Sequence, residues 1–187
     1  MDAILAARMT AEDLLAVPID GVDRELIQGQ LKEKPMTVRN RFHTRAVTNL
    51  AYHLKDWLEC RPQQRGEVHT GEVGCVLRRD PDTLVGIDVA YFSAEVMERQ
   101  TNDTTLIEGP PTLAIEVLSP SDRTEDIRDK VLEYLAADVP LIWIVDPYFR
   151  TVTVHRPGKR PKMFNDGETL SGDVTLPDFE IAVASLF

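Results

Sequence analysis

The stretch from Leu113 to Val145 constrains the fold more than any other part of the chain. Two short apolar runs, Leu113 to Leu118 and Leu141 to Val145, flank a segment whose apolar residues Ile127, Val131, Tyr134 and Leu135 recur at helical spacing. Runs of that length are strands, and the segment between them is a helix running to about Ala137. A helix joining two strands allows them to pair in parallel. Leu141 to Val145 has no polar alternation, which is the pattern of a strand covered on both faces at a sheet centre. The chain therefore belongs to the α/β (or α+β) class.

The remaining segments extend that unit. Thr10 and Asp13 have capping-box spacing, with Asp replacing the usual Glu, and start a short helix from Ala11 to Val17 that Pro18 ends. Arg24 to Gln28 and Leu31 to Lys34 flank Gly29 as a hairpin. Arg41 to Cys60 is the longest helical pattern, with His43, Val47, Leu50, Leu54 and Leu58 on one face and Arg61-Pro62 as its stop. Glu67 to Leu77 and Val85 to Phe92 read as strands separated by the turn Asp80-Pro81-Asp82. In the second, Ile87, Val89 and Tyr91 face one way and Asp88, Ala90 and Phe92 the other. Asp122 with Glu125 suggests a second capping box. Arg150 to His155 forms a further hairpin arm leading to a basic loop, and Leu176 to Phe187 a strand, turn and short helix. From Arg41 onward the order is α-β-β-β-α-β, a mixed sheet flanked by helices, with an extra amino-terminal helix and hairpin and a carboxyl-terminal hairpin.

A length of 187 residues suits one domain, 1–187, with residues 1–8 as a loose tail. The first residues lack a basic segment followed by an apolar one, so no signal peptide is expected. No apolar run approaches the ~20 residues that span a bilayer. The two cysteines, Cys60 and Cys75, form no CxxC pair, which disfavours a thiolate zinc site and suits a reducing compartment. The expected location is the cytoplasm. A net charge of −10 weighs against sequence-independent DNA binding, although metal-binding carboxylates contribute negative charge and its distribution matters more than its sum.

Asp88 and Glu116 are the unusual residues, because each interrupts an apolar strand. A carboxylate inside a sheet is costly unless it is paired, hydrogen-bonded or bound to metal. On neighbouring strands both can project from one face, where mutual repulsion is relieved by a divalent cation. Oxygen donors favour Mg²⁺ or Mn²⁺ over zinc. The competing reading is a pair of acids solvated at strand ends or matched with arginines.

Several tracts resemble the Uma-two family of endonucleases. They are Arg24-Glu25-Leu26-Ile27-Gln28-Gly29-Gln30-Leu31, Gly86-Ile87-Asp88-Val89-Ala90-Tyr91-Phe92, Leu113-Ala114-Ile115-Glu116-Val117-Leu118-Ser119-Pro120-Ser121, Lys130-Val131-Leu132-Glu133-Tyr134 and Leu141-Ile142-Trp143-Ile144-Val145-Asp146-Pro147. The resemblance covers Met9 to Phe187 and implies the restriction-endonuclease-like PD-(D/E)XK fold, with its αβββαβ core. By position it implies that Asp88 and Glu116 are the metal-binding acids. The motif lysine would fall at Leu118, and Lys130 on the next helix takes its place. Glu25 and His43 match further family positions. Ile87 stands where the pattern has proline.

Phosphodiester hydrolysis then assigns the roles. Asp88, Glu116 and the backbone carbonyl of Val117 hold one or two Mg²⁺ or Mn²⁺ ions, while Lys130 stabilises developing charge or positions the water. Lys130 also fits a lysine snorkelling from an amphipathic helix, Glu25 an exposed hairpin residue, and His43 a core histidine. DNA contact is assigned to Arg39, Arg41 and Arg45 and to Arg150, Arg156, Lys159, Arg160 and Lys162, which otherwise read as solvated charge. The implied activity is a metal-dependent endodeoxyribonuclease acting on DNA as a homodimer, with no membrane partner. The alternatives are a catalytically inactive interaction or regulatory protein of the same fold and a hydrolase of a small phosphorylated molecule.

Overall fold

The computed structural model describes residues 8–61 and 66–187. Of the tail expected over 1–8, only Arg8 falls within the described residues, and Pro62 lies outside them. The order is α1 (Ala11–Leu15), β1 (Val22–Ile27), β2 (Gln30–Pro35), α2 (Arg41–Glu59), β3 (Glu67–Arg78), β4 (Thr83–Phe92), α3 (Ala94–Met97), β5 (Ile107–Glu108), β6 (Leu113–Val117), α4 (Thr124–Ala136), β7 (Leu141–Asp146), β8 (Thr151–His155), β9 (Lys162–Asn165), β10 (Thr169–Ser171) and β11 (Glu180–Ala182), closed by a 3-10 turn over Val183–Leu186. The mixed sheet flanked by helices is present, as are both added hairpins.

Local chemistry sets the element ends. The Thr10 hydroxyl accepts from Asp13 N while Asp13 accepts from Thr10 N, so the capping box forms. Gln28 and Gly29 have φ of +56° and +76°, the two left-handed positions of a two-residue type I′ turn, and Ile27 pairs with Gln30 across it. Asn40 caps α2 by accepting from Phe42 N and His43 N. The second capping box does not form. Asp122 Oδ2 instead accepts from Ser119 N at 2.7 Å and Ser119 Oγ at 2.9 Å, so the carboxylate is tied back into the loop and Arg123 becomes the N-cap without a side-chain bond.

Among the described residues nine strands form one sheet, ordered β2-β1-β4-β6-β7-β8-β9, with β3 on β4 and β5 on β3. The α4 crossover joins β6 and β7 in parallel, and the two strands pair from Leu113↔Leu141 to Val117↔Val145. One face packs on α2 and the carboxyl-terminal segment through Leu50, Leu54, Ile115, Trp143 and Phe179. The other packs on α4 through Ile87, Phe92, Ile142 and Tyr134. Each fully buried leucine contributes about 1.5–3 kcal/mol through its apolar area.

The sheet forks at β4. This strand has three partners but only two edges. Strand β3 follows it along its whole length, from Glu67↔Phe92 to Arg78↔Thr83. The other edge is therefore shared, with β1 meeting it only at Leu26↔Leu84 and β6 only from Val89↔Ile115 to Tyr91↔Leu113. Between those contacts, no strand among the described residues lies on that side of Val85 to Asp88. Opposite this gap β3 carries a bulge at Gly71 and Glu72, both with positive φ. The inside–outside alternation also breaks here. Ile87 packs with Ala90 and Phe92, and not with Val89 and Tyr91 as a regular strand requires. The cause is the loss of regular pairing on both sides of the strand at one point.

Candidate active site

Side chains fill the fork. Where β1 and β4 part, Glu25 Oε1 accepts from Gly86 N at 3.0 Å. Lys130 Nζ, reaching across from α4, donates to Gly86 O at 2.7 Å. Where β4 and β6 part, Asp88 Oδ2 accepts from Val117 N at 2.8 Å. Buried backbone groups need partners, and three ionisable side chains supply here what a neighbouring strand supplies elsewhere.

The same side chains converge on each other. Lys130 Nζ lies 3.0 Å from Glu25 Oε1 and 3.0 Å from Glu116 Oε2, so its ammonium bridges two acids from different strands. The Tyr134 hydroxyl donates a hydrogen bond to the second oxygen of Glu116. Lys130 and Tyr134 stand four residues apart on α4, one above the other on the helix. On the other side of the sheet, His43 Nε2 comes within 3.1 Å of Asp88 Oδ1. The contact has ion-pair distance without hydrogen-bond alignment, and His43 Nδ1 is buried with no partner among the described residues. Asp88, Glu116, Lys130 and His43 are all buried.

Electrostatics follow from burial and these pairings. Burial pushes the Glu116 carboxyl up to about 7, with Lys130 opposing and the Asp88 and Glu25 carboxylates adding to the rise. Burial also raises Asp88, but His43, the Val117 N–H and Lys130 together overcome it and hold this carboxyl below its ordinary value. Burial disfavours the Lys130 ammonium, yet Glu116 and Glu25 outweigh it and raise its pKa. Lys130 is therefore charged at neutral pH. Burial and the facing Glu116 raise the Tyr134 phenol, so Tyr134 is a donor.

A cavity of about 430 Å³ opens at the fork. Glu25, Asp88, Glu116, Val117 and Lys130 all line it, and so do Arg39 and Asp122. The structure thus brings together every candidate catalytic or metal-binding residue taken from the sequence except His43, which touches Asp88 from behind and lines a smaller cleft with it. Leu118, at the motif lysine's expected position, packs against the apolar cluster on the α4 face, and Lys130 reaches Glu116 in its stead.

Two participants escape a reading of the sequence. Tyr134 reads as part of an apolar stripe, and only its spacing from Lys130 hints at a polar role. Glu72 sits in the β3 bulge, lines the cavity and forms an ion pair with Arg39. The late basic cluster is misplaced by sequence reasoning. Strand β8 runs antiparallel to β7, from Asp146↔Thr151 to Ile142↔His155. It carries Arg156, Lys159 and Arg160 past the end of the sheet opposite the one toward which Glu116 stands, while Lys162, at the start of β9, lies level with Ile115 but three strands away from β6. Arg150 stays at the site end but pairs with Asp166 at 2.9 Å, and Arg156 lies 3.8 Å from Asp173.

The donor set suits a hard divalent cation, since Glu25, Asp88 and Glu116 offer only oxygen. Among the described residues no three His, Cys, Asp or Glu are grouped closely enough to hold an ion alone. An ion here would take one or two carboxylates, a backbone carbonyl and water, which is the usual manner of Mg²⁺. Among the described residues no helix is long and apolar enough to cross a membrane.

The sequence matches the family model Uma2, described as "Putative restriction endonuclease", over residues 11–184. Among curated proteins, none matches it. The fold is similar to a crystal structure of a putative nuclease belonging to DUF820 from Anabaena variabilis ATCC 29413, with a TM-score of 0.78. The two share 21% identity over 96% of this chain and 97% of the other, a likeness of fold.

Proposed function

Since the chain belongs to the Uma2 family, described as putative restriction endonucleases, we propose that it is a metal-dependent endonuclease hydrolysing phosphodiester bonds of DNA. One observation carries the proposal. Acids from three strands and an amine from a helix meet in one cavity at a fork in the sheet.

Asp88, Glu116 and the carbonyl of Val117 would hold Mg²⁺ or Mn²⁺. A bound divalent ion supplies Lewis acidity toward the phosphate and a lowered pKa for its water. The chain's own groups do the positioning. Lys130 is held at a fixed point by Gly86 O, Glu25 and Glu116, so it acts on a phosphate through its positive charge beside the cavity, its three protons being engaged by those partners. His43 holds the Asp88 carboxylate from behind, and Tyr134 fixes the rotamer of Glu116. Cutting both strands takes two sites, so the working unit is a homodimer, and its compartment is the cytoplasm.

Purified protein should nick plasmid DNA with Mg²⁺ or Mn²⁺ and not with chelator. Asp88→Ala and Glu116→Ala should abolish nicking. Equal activity in wild type and both variants would sink the assignment.

A second reading has its own support. Both oxygens of Glu116 are engaged by Lys130 and Tyr134, a closed arrangement that also suits an inactive interaction protein of this fold. Titration calorimetry with Mn²⁺ separates the two. Binding that Asp88→Asn removes favours the enzyme, and no binding by wild type favours the scaffold.

A further inference from the structure

We propose that exposed aromatic side chains at the start of α2 and in the turn after β7 form a stacking surface for an unpaired base, so that the substrate is a nucleic acid strand single or locally unpaired near the cut. The inference rests on the nuclease reading above for the word substrate, though the surface itself does not.

The turn after β7 presents Tyr148 and Phe149, which are 48% and 82% exposed. Its shape is held, because the Asp146 carboxylate accepts from Tyr148 N at 2.9 Å and from Phe149 N at 3.0 Å. Phe42, in the first turn of α2, is 44% exposed and meets Tyr148 edge to face, with ring centroids 5.7 Å apart. The Arg41 guanidinium lies 4.6 Å from the Phe42 centroid. Arg45 is exposed one turn further along α2. Among the described residues neither Arg41 nor Arg45 enters an ion pair.

The location ties this surface to the site from two directions. Phe42 precedes His43, which touches Asp88. The turn follows Val145, which pairs with Val117, the residue after Glu116. Arg39, just ahead of the α2 cap, lines the cavity itself.

Aromatic rings interleaved with arginines suit a strand of nucleic acid, because every base has a π face and every linkage a negative charge. A second copy of the chain is the poorer fit. At their exposures the three rings offer on the order of 350 Å², against the ~800 Å² per partner of a stable interface. A continuous duplex hides its base faces and gives exposed rings nothing to stack on.

The test is fluorescence anisotropy of a labelled single-stranded oligonucleotide and of the matching blunt duplex, with Ca²⁺ present. Tyr148→Ala and Phe149→Ala should each weaken single-strand binding by roughly 5- to 150-fold and leave duplex binding unchanged. Phe149→Trp should retain it. Circular dichroism should match wild type, because Phe149 packs against little. The proposal falls if wild type does not bind the single strand, if the alanine variants bind it like wild type, or if sedimentation velocity shows that they lose self-association instead. Single-strand affinity that depends on Phe149, in a protein that cuts nothing with Mg²⁺ or Mn²⁺, would refute the nuclease and keep the stacking surface. Cleavage in wild type with Phe149-independent affinity would do the reverse.

Discussion

Glu116 is the residue on which stability and chemistry meet. Its carboxyl is pushed from 4.5 to about 7 by burial, against the pull of Lys130. The folded protein therefore holds this proton more tightly than the unfolded chain does. The resulting stabilisation is complete below about pH 4.5, shrinks as pH rises toward 7 and is gone above it. Glu116→Gln carries no such proton. In urea unfolding, the wild-type advantage over Glu116→Gln should diminish between pH 5 and pH 8, and an advantage that grows would refute the shift. Tyr134→Phe removes the buried donor to the same carboxylate. It should cost about 1–3 kcal/mol in the same measurement.

At the scale of elements, α2 is held to the sheet by residues with helical spacing, and Leu50 is 0% exposed at the centre of that contact. Leu50→Ala should destabilise by about 2–5 kcal/mol in denaturant melts. Elements of this kind are legible in sequence, because hydrophobic period is a local signal. The strands carrying Asp88 and Glu116 and the crossover helix were readable from it, and Gly29 marked the hairpin by turn chemistry, although Gln28 belongs to the turn and not to the first arm. The fork was not, because it depends on which edge of β4 receives β1, a question of long-range register decided by the single pair Leu26↔Leu84. The phase break at Ile87 and the placing of Glu72 follow from the fork and the bulge, and are equally hidden. The Asp122 cap failed for a local reason, since Ser119 offers that carboxylate a backbone and a hydroxyl donor together.

On the scale of the whole molecule, a net charge of −10 means that any contact with nucleic acid depends on where the cations stand. The hairpin joining β8 and β9 carries its exposed lysine and arginine to the far end of the sheet. Lys159→Ala and Arg160→Ala should therefore leave DNA affinity unchanged, whereas Arg39→Ala, at the cavity, should weaken it. Anisotropy titrations over a range of KCl would check both. The log–log salt slope should correspond to only two or three neutralised phosphates, at about 0.9 each. A loss of affinity on removing Lys159 or Arg160 would contradict the topology.

Glu25 and Lys130 satisfy the amide and carbonyl of Gly86, a task that has nothing to do with hydrolysis. A descendant that abandoned the reaction would still gain from keeping both, since losing either leaves a half-buried peptide group without its partner. Survival of this acid–lysine signature along a lineage is thus enforced by architecture as well as by turnover, and an inactive cousin should look, letter for letter at these positions, like a working one.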